Sequence, residues 1–129
     1  MRAGRAAGRS PAKDLEPNIF VSPRCNMACV FCSVNRVMSA REREAVFRSR
    51  FAAVSLEGGE PLLNPELEEL AARAKRCGAR DITVFSNALL MNEARARSLM
   101  ASGVNHFNFN LPAHTTALHD KLTGTRGKL

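Results

Sequence analysis

The sequence predicts an α/β fold with a parallel sheet. Three observations lead to this prediction: short apolar runs alternate with stretches of helical periodicity, capping signals precede the helical stretches, and glycine or proline separates the elements. Successive strand, helix and strand segments build a parallel sheet through right-handed crossovers, so the pattern indicates four strands and three and a half helices. The 129 residues correspond to one domain, and 45% hydrophobic residues suffice for a core.

The first strand is predicted at residues 18–21, because this apolar run ends at a Ser-Pro pair. Residues 39–42 read Ser-Ala-Arg-Glu, the pattern of a capping box, and open a helix that extends to about Ser49. The second strand is predicted at residues 51–56. It places the glycines that follow it at the carboxyl edge of the sheet, where their lack of a Cβ allows a bound molecule to approach the backbone.

The second helix is predicted at residues 66–76, with Asn64 as its N-cap and a proline at its first turn. A third strand follows at residues 81–86, which are rich in β-branched and aromatic side chains. Asn92 is suited to cap a third helix that extends to Met100. Each helix therefore returns the chain to the start of the next strand.

The fourth strand is predicted at residues 106–111, in which phenylalanine and leucine alternate with histidine and asparagine. We expect its apolar face to meet the helices and its polar face to line the interior of the sheet. A final helix begins near Thr115. Because the fourth strand has no partner on its outer side, we expect self-association through this exposed sheet edge.

The first part of the chain is basic. Four of the net seven positive charges lie in the first 13 residues, and no aromatic residue accompanies them, so residues 1–16 are predicted to be a disordered tail rather than a nucleic-acid-binding arm. Residues 17–129 form the predicted domain. No apolar stretch resembles a signal peptide or a membrane span, and four cysteines suit a reducing compartment, so we expect a cytoplasmic protein with no membrane partner.

Three cysteines, Cys25, Cys29 and Cys32, lie within eight residues. Soft thiolates at this spacing suit zinc or an iron–sulfur cluster. A structural zinc site needs four ligands, and only Cys77 or a histidine is available to complete one. A four-iron cluster held by three cysteines would instead keep one iron open.

The spacing CxxxCxxC, with Phe31 before the last cysteine, resembles the cluster-binding loop of the radical S-adenosylmethionine (radical SAM) superfamily. Residues 56–65, with their Gly-Gly-Glu-Pro sequence, resemble a second motif of that superfamily. The resemblance implies a partial (β/α) barrel of six units, of which this sequence covers the first four, so the chain is expected to be truncated.

The resemblance also implies two cofactors, a [4Fe–4S] cluster and S-adenosylmethionine. Cys25, Cys29 and Cys32 would hold the cluster. Ala88 replaces the glycine of the family's usual Thr-Asn-Gly turn, which leaves the geometry of that turn open. The residues expected to contact S-adenosylmethionine are Phe31 beside the adenine, Gly58, Gly59 and Glu60 at the methionine amino group, and Ser86, Asn87 and Asn110.

The implied activity is reductive cleavage of S-adenosylmethionine to a 5′-deoxyadenosyl radical, which abstracts hydrogen from a substrate that the sequence does not identify. An electron donor is a required partner. Two alternatives remain: an iron–sulfur-binding half-barrel without catalysis, and a structural zinc domain. His106, His114 and His119 are interpreted as structural. Residues 113–120 resemble a family segment that follows the fourth strand, near the mouth of the site.

Overall fold

The computed structural model describes residues 15–34 and 36–129. The predicted basic tail lies outside these residues, apart from Leu15 and Glu16. The carboxylate of Glu16 accepts a hydrogen bond from the Ser55 hydroxyl. The chain therefore contacts the sheet just before the first strand begins.

Within the described residues, four strands alternate with four α-helices, in the predicted order, and the final helix that was expected near Thr115 is present. A short 3₁₀-helix, which was not predicted, follows the second strand. The elements are β1 Asn18–Ser22, α1 Ala40–Arg48, β2 Ala53–Gly58, the 3₁₀-helix Pro61–Leu63, α2 Leu67–Arg76, β3 Asp81–Ser86, α3 Glu93–Ala101, β4 His106–Phe109 and α4 Thr116–Thr123.

The strands form one parallel sheet in the order β1-β2-β3-β4. Leu56 lies opposite Val84, and Val84 lies opposite Phe107, so these three side chains share one face. Because strand order follows chain order and every neighbouring pair is parallel, the predicted α/β fold is confirmed. All four carboxyl ends meet at one edge of the sheet.

The core lies between one face of the sheet and the first three helices. The side chains of Leu56, Ile82 and Val84 are fully buried on this face. Helix α1 contributes Phe47, and α3 contributes Leu99. The remaining buried apolar residues of this cluster are Ile19, Val21, Met38, Val54, Leu62, Leu67, Ala71, Ala74, Ala79 and Val104.

Two of the predicted strands have boundaries that are wrong by two residues. Strand β2 begins and ends two residues later than expected, because Gly58 still pairs with Ser22 of β1. Strand β4 ends two residues earlier than expected, at Phe109. Phe109 pairs with Ser86, which is the final residue of β3. Residues 110 and 111 therefore lie beyond the end of the strand that β4 pairs with.

The predicted helix caps are largely confirmed. The Ser39 hydroxyl accepts from the Glu42 amide, and the Glu42 carboxylate accepts from the Ser39 amide at 2.7 Å, so the capping box is complete. Asn92 caps α3 by accepting from the Arg95 amide. The Asn64 side chain accepts from the Glu66 amide, but this closes a turn, and α2 begins one residue later than predicted.

Strand β4 forms an edge of the sheet and is only partly covered. Phe107 packs against the core, whereas Phe109 is 48% exposed and Leu111 is 64% exposed. The expectation that this apolar face meets the helices is therefore correct only for Phe107. Self-association through the edge stays a prediction. In the described part of the chain, no helix has the length and apolar character needed to cross a membrane.

Candidate functional site

An open cavity of about 280 Å³ lies at the carboxyl edge of the sheet. Its walls are the cysteine loop, residues 25–32, together with the end of β2, the end of β3 and the outer part of β4. All the site residues predicted from the sequence line this one cavity: Cys25, Cys29, Phe31, Cys32, Gly58, Gly59, Glu60, Ser86, Asn87 and Asn110.

The three thiols of the cysteine loop are free and face this cavity. Burial raises the pKa of the Cys29 thiol, and negative charge on Cys25 and Cys32 raises it further. Both neighbouring cysteines therefore lie close enough to affect the Cys29 thiol. Within the described residues, no three Cys, His, Asp or Glu side chains surround a point where a single metal ion would bind. Iron–sulfur clusters are held by cysteine thiolates, so three thiols that line one cavity are a donor set that fits such a cluster.

Cys77, the proposed fourth zinc ligand, lies at the end of α2 and packs partly against the core. It does not line the cavity. His106 and His114 are exposed and are also absent from the cavity wall. Among the residues that the structure describes, none of these groups completes a zinc site with the cysteine loop.

The end of helix α4 holds the cysteine loop in place. The Ala28 amide donates to the Thr123 carbonyl at 2.8 Å, and the Val30 amide donates to the Leu122 carbonyl at 2.9 Å. Carbonyl groups in the last turn of a helix lack donors within the helix. The backbone amides of the cysteine loop therefore supply the donors for two of these carbonyl groups. The segment after the fourth strand was expected to shape the mouth of the site, and the structure shows that its helix supports the cysteine loop.

His119 lies in α4, the helix that holds the cysteine loop, and is 2% exposed. Its Nδ1 is 3.5 Å from the Thr123 hydroxyl, which also donates to the His119 carbonyl at 2.8 Å. These contacts lie within α4 and not in the cavity. They agree with the structural interpretation of this histidine.

Gly58 ends β2 and Gly59 follows it, and both pack closely against the backbone of residues 22–24. A Cβ on Gly59 would lie 2.2 Å from the Arg24 carbonyl oxygen, and one on Gly58 would lie 2.4 Å from the Ser22 carbonyl oxygen. The Gly59 amide donates to Ser22, and the Glu60 amide donates to Arg24 at 2.7 Å. The missing Cβ atoms therefore make room for the end of β1 and for Arg24 and Cys25 at the start of the cysteine loop. The expected contact of the two glycines with a bound molecule stays a prediction.

The Glu60 carboxylate is 1% exposed and already has protein partners. One oxygen accepts from the Ser86 hydroxyl at 2.7 Å and the Leu62 amide at 3.0 Å, and the other accepts from the Asn87 amide at 2.9 Å. An ionised carboxylate has about four acceptor positions. Three of them are used: the bonds from Ser86 and Asn87 join the segment after β2 to the end of β3, and the bond from Leu62 closes the local turn. Glu60 therefore stabilises the cavity wall.

In the turn after β3, Ala88 occupies a backbone conformation that glycine usually adopts. Ala88 has a φ of 63°, in the left-handed region where glycine is the usual residue. Its amide donates to the Ser86 hydroxyl at 2.9 Å, and its carbonyl accepts from the Met91 amide. The alanine therefore adopts a left-handed conformation at a cost of about 1 kcal/mol of backbone strain, and both its amide and its carbonyl are hydrogen-bonded.

The cavity contains residues that were not predicted. Glu57 and Asn108 each lie two residues from a predicted site residue, so the period of a strand already placed them on the same side. Burial, and to a lesser extent the Glu16 carboxylate, raises the pKa of Glu57. The other additions are Met27, Ser33, Val34 and Phe85.

A matched pair of glycine variants tests the support that α4 gives to the cysteine loop. Gly124 and Gly127 both have a left-handed φ, of 67° and 59°. A Cβ on Gly124 would lie 3.2 Å from both the Cβ and the carbonyl oxygen of Ala28, whereas one on Gly127 would meet nothing within 4 Å. We expect Gly127→Ala to cost about 1 kcal/mol of backbone strain, and Gly124→Ala about 2 kcal/mol because it also displaces the loop.

Urea unfolding followed by circular dichroism measures both values, and the reaction rate of Cys29 with a thiol reagent reports on the loop. Only the Gly124 variant should increase that rate. Equal destabilisation and equal thiol reactivity in the two variants would show that α4 does not hold the loop.

Comparison with curated proteins identifies relatives with one activity in their names. A GTP 3′,8-cyclase from Cyanothece sp. is 28% identical over 126 residues, which cover 85% of this chain and 38% of the relative. A GTP 3′,8-cyclase from Pelotomaculum thermopropionicum is 34% identical over 107 residues, which cover 72% of this chain and 33% of the relative. The chain thus spans between 33% and 38% of the length of these two relatives.

Solved structures share the fold. Streptococcus suis SuiB bound to S-adenosylmethionine matches 89% of this chain and 27% of its own, with a TM-score of 0.69 and 23% identity. BtrN in complex with AdoMet and 2-DOIA matches 78% of this chain and 46% of its own, with a TM-score of 0.63 and 22% identity. These similarities support the α/β architecture described above.

The family model of the radical SAM superfamily matches residues 19–128. This range includes the cysteine loop and every other residue that lines the cavity. The two predicted cofactors, a [4Fe–4S] cluster and S-adenosylmethionine, are those of this superfamily, and its members are enzymes. The chain belongs to the radical SAM superfamily.

Proposed function

We propose that residues 17–129 form the first four βα units of a radical SAM enzyme, in which Cys25, Cys29 and Cys32 bind the [4Fe–4S] cluster. One observation carries the proposal: the three thiols, the Gly-Gly-Glu segment and the ends of β3 and β4 line the same cavity. In an α/β sheet this edge is where ligands bind. The cluster and S-adenosylmethionine would therefore lie side by side.

When bound, these cofactors supply one-electron cleavage of the sulfonium, which yields methionine and a 5′-deoxyadenosyl radical that abstracts hydrogen from the substrate. The protein binds, orients and shields the reacting groups. Phe31 lines the cavity with a half-exposed ring that can pack against the adenine. Gly58 and Gly59 present carbonyl groups that can accept from the methionine ammonium, and Asn110 supplies an amide at the opposite wall.

The substrate and the electron donor come from outside the chain. GTP is the first compound to test as a substrate, because the curated relatives carry it in their name. The reductant must be a low-potential one-electron donor. The predicted cytoplasmic location stays a prediction, supported by four free thiols that persist in a reducing compartment.

The experiment that tests the proposal is anaerobic cluster reconstitution followed by dithionite reduction in the presence of S-adenosylmethionine, with 5′-deoxyadenosine as the measured product. The wild-type chain should form 5′-deoxyadenosine. The triple variant Cys25→Ala, Cys29→Ala, Cys32→Ala should form none, whereas Cys77→Ala, a matched control outside the cavity, should behave as wild type. Equal product from wild type and triple variant would contradict the proposal.

A second candidate is an iron–sulfur-binding half-barrel that does not cleave S-adenosylmethionine. The observation in its favour is that the cysteine loop alone supplies the three cluster ligands, so cluster binding does not require cleavage of S-adenosylmethionine. In that case the reconstituted wild-type chain would contain iron and would still form no 5′-deoxyadenosine.

A further inference from the structure

The side chain of Asn87 connects the end of β3 to the cysteine loop. Its Nδ2 donates to Oδ1 of Asn26 at 2.7 Å and lies 3.9 Å from Sγ of Cys25, within hydrogen-bonding range for sulfur. Its Oδ1 accepts from the Leu89 amide at 3.1 Å. The backbone amide of Asn87 donates to the buried carboxylate of Glu60.

The orientation of this side chain is determined by its partners. The two ends of an asparagine amide are distinguished by the groups that they contact. The Leu89 amide can only donate, so the end of Asn87 that faces it must be the oxygen. The NH₂ group therefore faces the cysteine loop, and both of its hydrogens have acceptors there.

The three cysteine sulfurs differ in their hydrogen bonds. Cys25 Sγ accepts from the Met27 amide at 3.4 Å and from Asn87. Cys29 Sγ donates toward the Met27 thioether at 3.9 Å. Among the described residues, no donor is found for the sulfur of Cys29 or Cys32. The bonds to Cys25 therefore make the environment of the three thiols asymmetric.

We propose that Asn87 is a positioning residue that holds Cys25 and, through an N–H···S hydrogen bond, raises the reduction potential of the cluster. The inference rests on the proposed function. Reduction adds negative charge to the cluster and its sulfur ligands, and a hydrogen-bond donor stabilises that charge. Hydrogen bonds to the sulfurs are among the factors that set the potential of an iron–sulfur cluster. In this role both N–H groups of Asn87 serve the cysteine loop rather than S-adenosylmethionine.

The test is an anaerobic redox titration of the reconstituted full chain, without S-adenosylmethionine or substrate, followed by electron paramagnetic resonance (EPR). We expect Asn87→Ala to shift the midpoint potential to a more negative value than that of wild type. Asn108→Ala is the matched control, because Asn108 lines the same cavity from β4 and makes no hydrogen bond to Cys25 among the described residues. Its potential should remain close to that of wild type.

A second variant keeps the inference testable if Asn87→Ala does not fold. Asn87→Asp retains the acceptor for the Leu89 amide and loses only the donors to the cysteine loop, and Asn108→Asp adds the same charge at the cavity wall. The shift should be larger at position 87. Equal potentials for wild type and Asn87→Ala, or equal shifts for the two aspartate variants, would overturn the inference while leaving the proposed function intact. Failure of the wild-type chain to bind iron would overturn both.

Discussion

Replacing Gly59 with alanine is expected to destabilise the protein by about 3 kcal/mol or more. The added Cβ would lie 2.2 Å from the carbonyl oxygen and 2.5 Å from the carbonyl carbon of Arg24. Both are backbone atoms, and Arg24 is held by the Glu60 amide, so the clash cannot be relieved by a side-chain rotation. The cysteine loop would have to move away from the end of β2, and cluster binding would be lost with it.

Gly78→Ala is the matched control for this variant. Gly78 has a φ of 107°, and a Cβ there would meet nothing within 4 Å, so alanine adds only backbone strain of about 1–2 kcal/mol. Urea unfolding gives the free energy of unfolding, and reconstitution gives the iron content. A Gly59 variant that is no less stable than the Gly78 variant and binds a full complement of iron would contradict the close approach of the two segments.

The second large effect is expected at Glu60. Glu60→Ala would leave three donors without their acceptor, the Ser86 hydroxyl and the amides of Leu62 and Asn87. At about 1 kcal/mol or more for each unpaired donor, we expect a loss of about 3 kcal/mol. Glu60→Gln should cost less, because its oxygen can still accept from Ser86 and Leu62 while its NH₂ group faces the Asn87 amide.

Glu57→Gln is the control, because Glu57 lies in the same cavity and its carboxylate accepts no hydrogen bond within the described residues. Burial raises the pKa of Glu57 above its ordinary value of 4.5, so the charged form is disfavoured in the folded state. The folded state then binds more protons than the unfolded state, and the stability of the protein falls as pH rises through the window between these two pKa values.

At neutral pH, Glu57→Gln should therefore leave the protein as stable as wild type or slightly more stable, and this gain should disappear below pH 4.5. Thermal unfolding of both glutamate variants between pH 4 and pH 8 makes the comparison. If Glu60→Gln and Glu60→Ala lowered the affinity for S-adenosylmethionine without changing stability, Glu60 would be a cofactor ligand rather than a support of the cavity wall.

The residues that line the cavity could be predicted from the sequence because they lie on a few short segments. Cys25, Cys29 and Cys32 lie on one loop, and each of the other segments follows the end of a strand. Parallel strands bring their carboxyl ends to one edge, so the order of the elements alone places Gly59, Ser86 and the cysteine loop together. Neither the register of the sheet nor the conformation of the loop was needed for this prediction.

The features that the sequence did not reveal depend on contacts between distant segments. Glu60 has the residue type of an ammonium ligand, and only its distances to Leu62, Ser86 and Asn87 show that most of its acceptor positions already have donors within the protein. The contact of Ala28 with the end of α4 joins residues far apart in the chain through backbone atoms, which carry no sequence signal. The end of β4 depended in the same way on where β3 stops.

The measurement that tests the central claim most directly is the iron and sulfide content of the anaerobically reconstituted chain, combined with EPR of the reduced protein with and without S-adenosylmethionine. We expect about four iron and four sulfide per chain. We also expect an EPR signal that changes on addition of S-adenosylmethionine, and no cluster in the triple cysteine variant. One zinc per chain, or the same iron content in wild type and triple variant, would contradict the assignment of the cysteine loop as the cluster site.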